Sequence, residues 1–166
     1  MANILYMAIS RDGFIAGKND ETPWSDESWE AFAEFVKSCD AVLLGRRTYK
    51  IMKDGNEFVD GPKYIVVTND SSLDTGTLEK LAVKTARDIP AVNKLGIIGG
   101  GDLNGRLAEL GVIDEVILDK EPIKLHEGIK LYGNHQVSPK LELINQKDLN
   151  DTTTQYHYRV TSNLPK

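Results

Sequence analysis

Apolar residues along this chain gather in short unbroken runs, Ala41-Val42-Leu43-Leu44, Tyr64-Ile65-Val66-Val67 and Leu95-Gly96-Ile97-Ile98. Such runs suit strands covered on both faces, the pattern of a parallel sheet interior. Strands are expected near 3–9, 41–44, 64–68, 82–84, 95–98 and 113–119. Near the end the pattern changes. Segments 140–147 and 155–161 alternate apolar and polar residues and are joined by Asp148-Leu149-Asn150-Asp151, which predicts an antiparallel hairpin. Between the runs the period lengthens to that of a helix. Residues 26–38 carry Trp29, Phe32, Ala33 and Val36 on one stripe, with Ser25 or Asp26 as the cap. Shorter helices are expected after Arg46, Thr77, Asp88 and Asp102, the last ending at Gly111. The pattern predicts an α/β fold: a single domain with a mixed, mostly parallel sheet, flanking helices and a C-terminal antiparallel hairpin.

Size and charge narrow the picture. At 166 residues, without internal repeats or long linkers, the chain makes one core. A net charge of −5 and a pI near 5.2 argue against a nucleic-acid partner and leave Arg46-Arg47 as a local exception. No basic stretch followed by a long apolar run opens the chain, and no segment reaches the roughly 20 apolar residues of a bilayer span. A soluble, cytoplasmic protein with no membrane contact is expected. Cys39, the single cysteine, excludes an internal disulfide and ends an apolar stripe, so it reads as a small core residue. His126, His135 and His157 lack a paired spacing, and no metal site is expected.

Two segments carry candidate chemistry. Gly99-Gly100-Gly101 follows one apolar run and precedes Asp102-Leu103-Asn104, where a helix begins. Bare backbone beside free helical N–H groups is a phosphate cradle, although a glycine cluster also makes a plain tight turn. A dinucleotide fingerprint of the Gly-x-Gly-x-x-Gly type is disfavoured, because Asn104 stands where its third glycine belongs. The second segment is Gly45-Arg46-Arg47-Thr48. Paired guanidinium forks and a hydroxyl at a strand-to-helix junction suit a 2′-phosphate as well as a pyrophosphate, hence NADPH over NADH. The plain alternative is a solvated basic helix start.

These residues carry a resemblance. Met7-Ala8-Ile9-Ser10-Arg11-Asp12-Gly13-Phe14-Ile15-Ala16-Gly17, Thr22-Pro23-Trp24, Leu44-Gly45-Arg46-Arg47-Thr48-Tyr49, Ile65-Val66-Val67-Thr68-Asn69 and Ile97-Ile98-Gly99-Gly100-Gly101 resemble, in order, the dihydrofolate reductase superfamily. Ser10-x-Asp12-Gly13 and Gly111-Val112-Ile113-Asp114-Glu115-Val116-Ile117-Leu118 are similar to its riboflavin-biosynthesis branch, the 5-amino-6-(5-phosphoribosylamino)uracil reductase domain. The resemblance implies an NADPH-dependent reductase that works as a homodimer. It assigns the cofactor to Gly45, Arg46, Arg47, Thr48, Thr68 and Asn69, and to Gly99, Gly100, Gly101, Asp102 and Leu103. Ile9, Ala16 and Gly17 would line the nicotinamide. Trp29 falls where folate reductases carry the pterin-binding acid, and Pro62 where they carry the arginine for the folate tail. Both charged anchors of a folate are thus replaced.

For the substrate, Asp119 and Glu121 end a strand two residues apart, on one face, at the sheet edge where open α/β folds bind ligands. Asp119 is the candidate catalytic residue, with Glu121, Trp24 and Trp29 as substrate contacts, the tryptophans forming a flat apolar wall. A solvated strand end is the alternative for the two acids, and Trp29 fits the helix core equally well. Asp12, before Gly13, is expected to bond nearby backbone. The expected activity is NADPH-dependent reduction of a small heterocyclic or carbonyl compound. Dihydrofolate reductase is a second reading, and an NADPH-binding protein without turnover a third.

Overall fold

A computed structural model of the chain describes residues 2–89 and 92–162. Its main sheet has eight strands in the order β5-β4-β3-β6-β1-β7-β10-β9. β1 (Ala2–Ile9), β3 (Ala41–Gly45), β4 (Lys63–Val67), β5 (Glu79–Leu81), β6 (Lys94–Ile97) and β7 (Glu115–Lys120) run parallel. β9 (Lys140–Asp148) and β10 (Thr154–Ser162) form the expected hairpin, and β10 joins the sheet antiparallel to β7. A small ribbon pairs β2 (Phe14–Ala16) with β8 (Ile129–Lys130). Three helices, α1 (Asp26–Ser38), α2 (Arg46–Gly55) and α3 (Gly101–Glu109), make the crossovers.

Strand alternation divides the core between the two faces of the sheet. Leu5, Leu43, Ile65, Leu95 and Ile97 pack with Leu103 and Leu107 of α3. Ile4, Tyr6, Val42, Leu44 and Val66 pack with Phe35 and Val36 of α1 and Met52 of α2. Central strands buried on both faces must be apolar at every position, and Ala41, Val42, Leu43 and Leu44 are accordingly enclosed. Cys39 lies in this core as expected, its thiol directed to the Phe35 carbonyl. No helix among the described residues is long and apolar enough to cross a membrane.

Three expectations change. The strand expected at 82–84 is instead β5, at Glu79–Leu81, followed by a 3-10 helix at Val83–Asp88. β5 is an edge strand, so solvent-facing Glu79 and Lys80 replace the apolar run. The helix expected after Thr77 is absent, because Thr75 closes a turn onto Leu78 just before β5. The helix expected after Asp88 falls partly on 90–91, outside the described residues, and β6 already begins at Lys94. At the other edge β9 is exposed throughout and displays Leu141, Leu143 and Ile144.

Candidate active site

A cavity of about 1020 Å³ opens where β1, β3, β4 and β6 end. Its floor is built by two strand-to-helix junctions that touch: the Gly45 N–H donates to the Gly99 carbonyl at 2.8 Å. α2 starts after Gly45 and α3 after Gly100, and neither helix has a side-chain cap. α1 contrasts with them, since the Ser25 hydroxyl accepts from the Ser28 N–H at 3.3 Å. The first N–H groups of α2 and α3 are left without intrahelical partners, and the positive ends of both helix dipoles meet there. A Cβ on Gly100 would find only the Thr48 hydroxyl, at 3.5 Å, so this glycine keeps the floor open. A Cβ on Gly101 would lie 2.6 Å from the Lys130 carbonyl, so this one lets β8 pack against α3.

Both arginines stand at the start of α2, and each has a carboxylate partner. Arg47 donates to one Asp20 oxygen from Nε at 2.9 Å, and its terminal nitrogen lies 2.8 Å from the same oxygen. Arg46 lies 3.7 Å from Asp70. Thr68 and Asn69 line the cavity beside them while supporting the chain beyond β4. The Thr68 hydroxyl accepts from the Asp70 N–H at 3.0 Å, and the Asn69 side chain from the Val83 N–H at 3.3 Å.

Beyond this polar half, the cavity continues between α1 and α2 as an apolar chamber. Trp24, Trp29, Phe32, Ile51, Met52 and Val59 line it. Trp29 projects from α1 with 41% of its surface exposed and meets Phe32 edge-on, so it is a wall of the chamber and not a core residue. Tyr6 forms part of the lining and stacks on Phe35. Its hydroxyl donates to Asp119, and Gln155 donates to the other Asp119 oxygen at 2.8 Å.

The expected site residues divide accordingly. Segments 45–48 and 100–103, with Thr68, Asn69, Ala16 and both tryptophans, come together around the cavity. Ile9, Gly17 and Gly99 do not line it. Ile9 sits at the end of β1, buried outside the cavity, and Met7, Ala8 and Ile15 take its expected place. The Gly17 N–H is bonded to Glu21, and Gly99 lies under the floor.

The two acids are corrected more deeply. Asp119 is fully buried behind Tyr6 and does not line the cavity. Burial raises its pKa above the ordinary carboxylate value, against the bonds from Tyr6 and Gln155. Glu121 is also buried, and its oxygens accept from the Ser25 N–H at 3.0 Å, the Ser25 hydroxyl at 2.8 Å and the Thr153 hydroxyl at 3.1 Å. It ties the start of α1 to the sheet and makes no contact with the cavity. Burial works against its charge, but the nearby Ser28 hydroxyl and the Ser25 and Thr153 hydrogen bonds prevail and lower its pKa. Asp12 behaves as expected, accepting from Ser10 and from the N–H groups of Leu125 and His126, and its pKa falls to about 2 because these bonds outweigh desolvation.

Sequence reasoning missed Tyr6, Asp20, Asp70 and Glu57 as cavity residues. The available signal was Tyr6 itself, a polar-tipped residue inside the apolar run 4–9 whose hydroxyl needs a buried partner.

Parallel strands ending on two uncapped helix starts, beside an aromatic chamber, define an α/β domain of the dihydrofolate reductase-like class. Residues 3–154 match the RibD C-terminal domain, and the chain belongs to that family. YwjB of Bacillus subtilis (strain 168) is 29% identical over 167 residues, 93% of this chain and 95% of its own. A Thermotoga maritima structure, described as a diaminohydroxyphosphoribosylaminopyrimidine deaminase/5-amino-6-(5-phosphoribosylamino)uracil reductase, superposes with a TM-score of 0.77 at 17% identity. The match spans 96% of this chain and 56% of that one. Dihydrofolate reductase from Enterococcus faecalis, complexed with NADP(H), gives a TM-score of 0.74 at 17% identity over 97% of each chain. At these identities the structural likeness speaks for the fold.

The placement of Glu121 generates a stability prediction. Glu121→Gln turns an amide N–H₂ toward at least one donor and should cost about 1–3 kcal/mol at pH 7 in urea unfolding. Because the native pKa lies below the unfolded value, this contribution is present above about pH 4.3 and is lost as pH falls through the native pKa. The gap between parent and variant should therefore narrow in acid. Equal stability at pH 7 would remove Glu121 from the α1 anchor.

Proposed function

We propose that the chain is an NADPH-dependent reductase acting on a small heterocyclic or carbonyl compound. The observation that carries this reading is the pair of uncapped helix starts joined through Gly45 and Gly99, with an apolar chamber directly beyond them. Family membership and the folds of the two named enzymes support it. The residues fit a dinucleotide. A side chain at Gly100 would project from the floor beside Thr48, and two exposed arginines rest on half-buried carboxylates that a phosphate can replace. Arg47, Thr48 and residues 101–103 would hold the pyrophosphate, while Arg46, Thr68 and Asn69 would hold the 2′-phosphate. Ala8, Ile15 and Ala16 would enclose the nicotinamide.

NADPH, when bound, supplies the hydride. The chain must orient the acceptor, exclude water and deliver a proton. Trp24, Trp29 and Phe32 shape the chamber and keep it dry. Tyr6 Oη is the proton source in this reading, and Asp119 is a positioning residue behind it. Burial raises the pKa of both groups, first by desolvation, so the Tyr6 hydroxyl keeps its proton at neutral pH. A folate substrate is disfavoured, since Trp29 offers a ring where a pterin needs a carboxylate, and buried Pro62 offers no charge to the folate tail. The homodimer implied by the resemblance would cover the exposed β9 edge.

Calorimetry should give NADPH at least tenfold tighter binding than NADH, since a charge-assisted bond is worth about 1.5–3 kcal/mol. Arg46→Ala should erase the difference, and Arg47→Ala should weaken both cofactors. Gly100→Ala should fold and lose NADPH binding. Equal affinity of the parent for both cofactors would contradict the 2′-phosphate assignment, and binding without consumption across carbonyl and heterocyclic compounds would favour a non-catalytic binder.

The proton source is tested by Tyr6→Phe, which should lower kcat by about 10²–10⁴-fold with NADPH affinity retained. Asp119→Asn should shift the pH profile of kcat more than it changes KM. An unchanged profile would leave Asp119 as a core residue.

A further inference from the structure

The cations around the cavity gather at one end of its length, where the carboxylates of Asp20, Asp70 and Asp102 also line it. Its cations are Arg46 and Arg47, at the start of α2, and Lys130, whose backbone packs on Gly101. All three belong to the half with the uncapped helix starts. The chamber between α1 and α2 has a different inventory: aromatic and aliphatic walls, the neutral Ser28 hydroxyl, and a single charged lining residue among those described, Glu57. Glu57 follows the C-terminal end of α2, with its N–H bonded to the Met52 carbonyl at 2.9 Å. Its carboxylate lies over Gly55, 2.7 Å from where a Cβ there would sit.

α2 brings dipole ends of opposite sign to the two halves of the cavity that it borders. Its N-terminus brings a positive dipole end and two arginines, while its C-terminus brings a negative dipole end and Glu57. A ten-residue helix spans about 15 Å, more than a Debye length at physiological salt, so the two ends present separate fields to whatever lies beside them. Lys53, in the last turn, does not offset the acidic end inside the cavity, because its ammonium lies over the Tyr49 ring, 5.8 Å from the centroid.

We infer that the compound reduced in this chamber is flat and apolar, carries no phosphate, and is neutral or positively charged at the end facing Glu57. The inference rests on the reductase reading above and narrows its substrate. A phosphorylated sugar, as in the substrate named for the Thermotoga maritima enzyme, would bring its dianion to a wall with no cation and one carboxylate. Removing a phosphate from water without a counter-charge is strongly unfavourable, and a carboxylate beside it adds repulsion. A flat ring gains instead. It can lie against Trp24 or Trp29, and a cationic ring adds attraction to the indole faces and to Glu57. Glu57 is then a specificity residue, not part of the chemistry.

Three flat tricyclic probes test this on protein saturated with NADP⁺, which fills the phosphate-binding half: lumichrome, neutral; riboflavin 5′-phosphate, anionic; and proflavine, cationic. Calorimetry should show proflavine and lumichrome binding, with riboflavin 5′-phosphate at least tenfold weaker than proflavine. Glu57→Gln should reduce the proflavine-to-flavin-phosphate ratio by about three- to tenfold and leave lumichrome unchanged, and added salt should have the same direction of effect. Riboflavin 5′-phosphate binding as tightly as proflavine, a ratio unmoved by Glu57→Gln, or no probe binding at all would overturn the substrate class while NADP⁺ binding, and the reductase reading with it, stands. Failure of NADP⁺ itself to bind would overturn both.

Discussion

One backbone hydrogen bond organises this molecule: the Gly45 N–H to the Gly99 carbonyl, 2.8 Å. It joins the ends of two neighbouring parallel strands, β3 and β6, where each chain turns into a helix. Parallel neighbours bring equivalent ends together, so two helices of the same polarity start side by side. Glycine is required on the carbonyl side of the contact, where Gly99 takes a φ of +101°. The consequence is electrostatic. Two positive dipole ends cannot be neutralised by the chain's own caps without filling the cavity, and the sequence leaves both uncapped. In the proposed reading an anionic ligand would complete the fold's own unsatisfied groups.

The opposite end of the cavity depends on two buried acids that share one strand face and behave oppositely. Glu121 is surrounded by hydroxyl and amide donors and stays ionised, fastening α1 to β7 and β10. Asp119, two residues earlier, accepts from Tyr6 and Gln155 in a drier setting, where burial raises its pKa. Environment, not residue type, moves the two carboxyls in opposite directions. By fixing the start of α1, Glu121 also sets the position of Trp29 and Phe32, so the shape of the chamber rests on a side chain that never enters it.

Much of this was legible beforehand, for identifiable reasons. Ala41-Val42-Leu43-Leu44 is apolar at every position because β3 is buried on both faces, and that constraint is written in the composition of the run. The alternation over 140–147 and 155–161 marks an antiparallel hairpin, which β9 and β10 form. The arginine and glycine segments were legible because strand-to-helix junctions combine a strong pattern with unusual residues. What stayed hidden depended on neighbours distant in sequence. β5 is polar because it is an edge, and no local pattern marks an edge strand that borrows its order from β4. Asp119 and Glu121 read from the sequence as substrate-facing acids at a strand end, with a solvated end as the alternative. Their enclosure comes from Tyr6, Ser25, Thr153 and Gln155, all far away along the chain. Asp20 and Asp70 acquire meaning only when folding sets them beside Arg47 and Arg46.

The central claim is that the two uncapped helix starts jointly hold one dinucleotide. Backbone amide chemical shifts, followed by ¹⁵N–¹H correlation spectra while NADPH is added, read those N–H groups directly. Hydrogen bonding to phosphate should move the amides of residues 46–48 and 101–103 together, with one shared binding curve and larger shifts than in α1 or β9. Shifts confined to one of the two segments, or centred elsewhere on the sheet, would contradict the account.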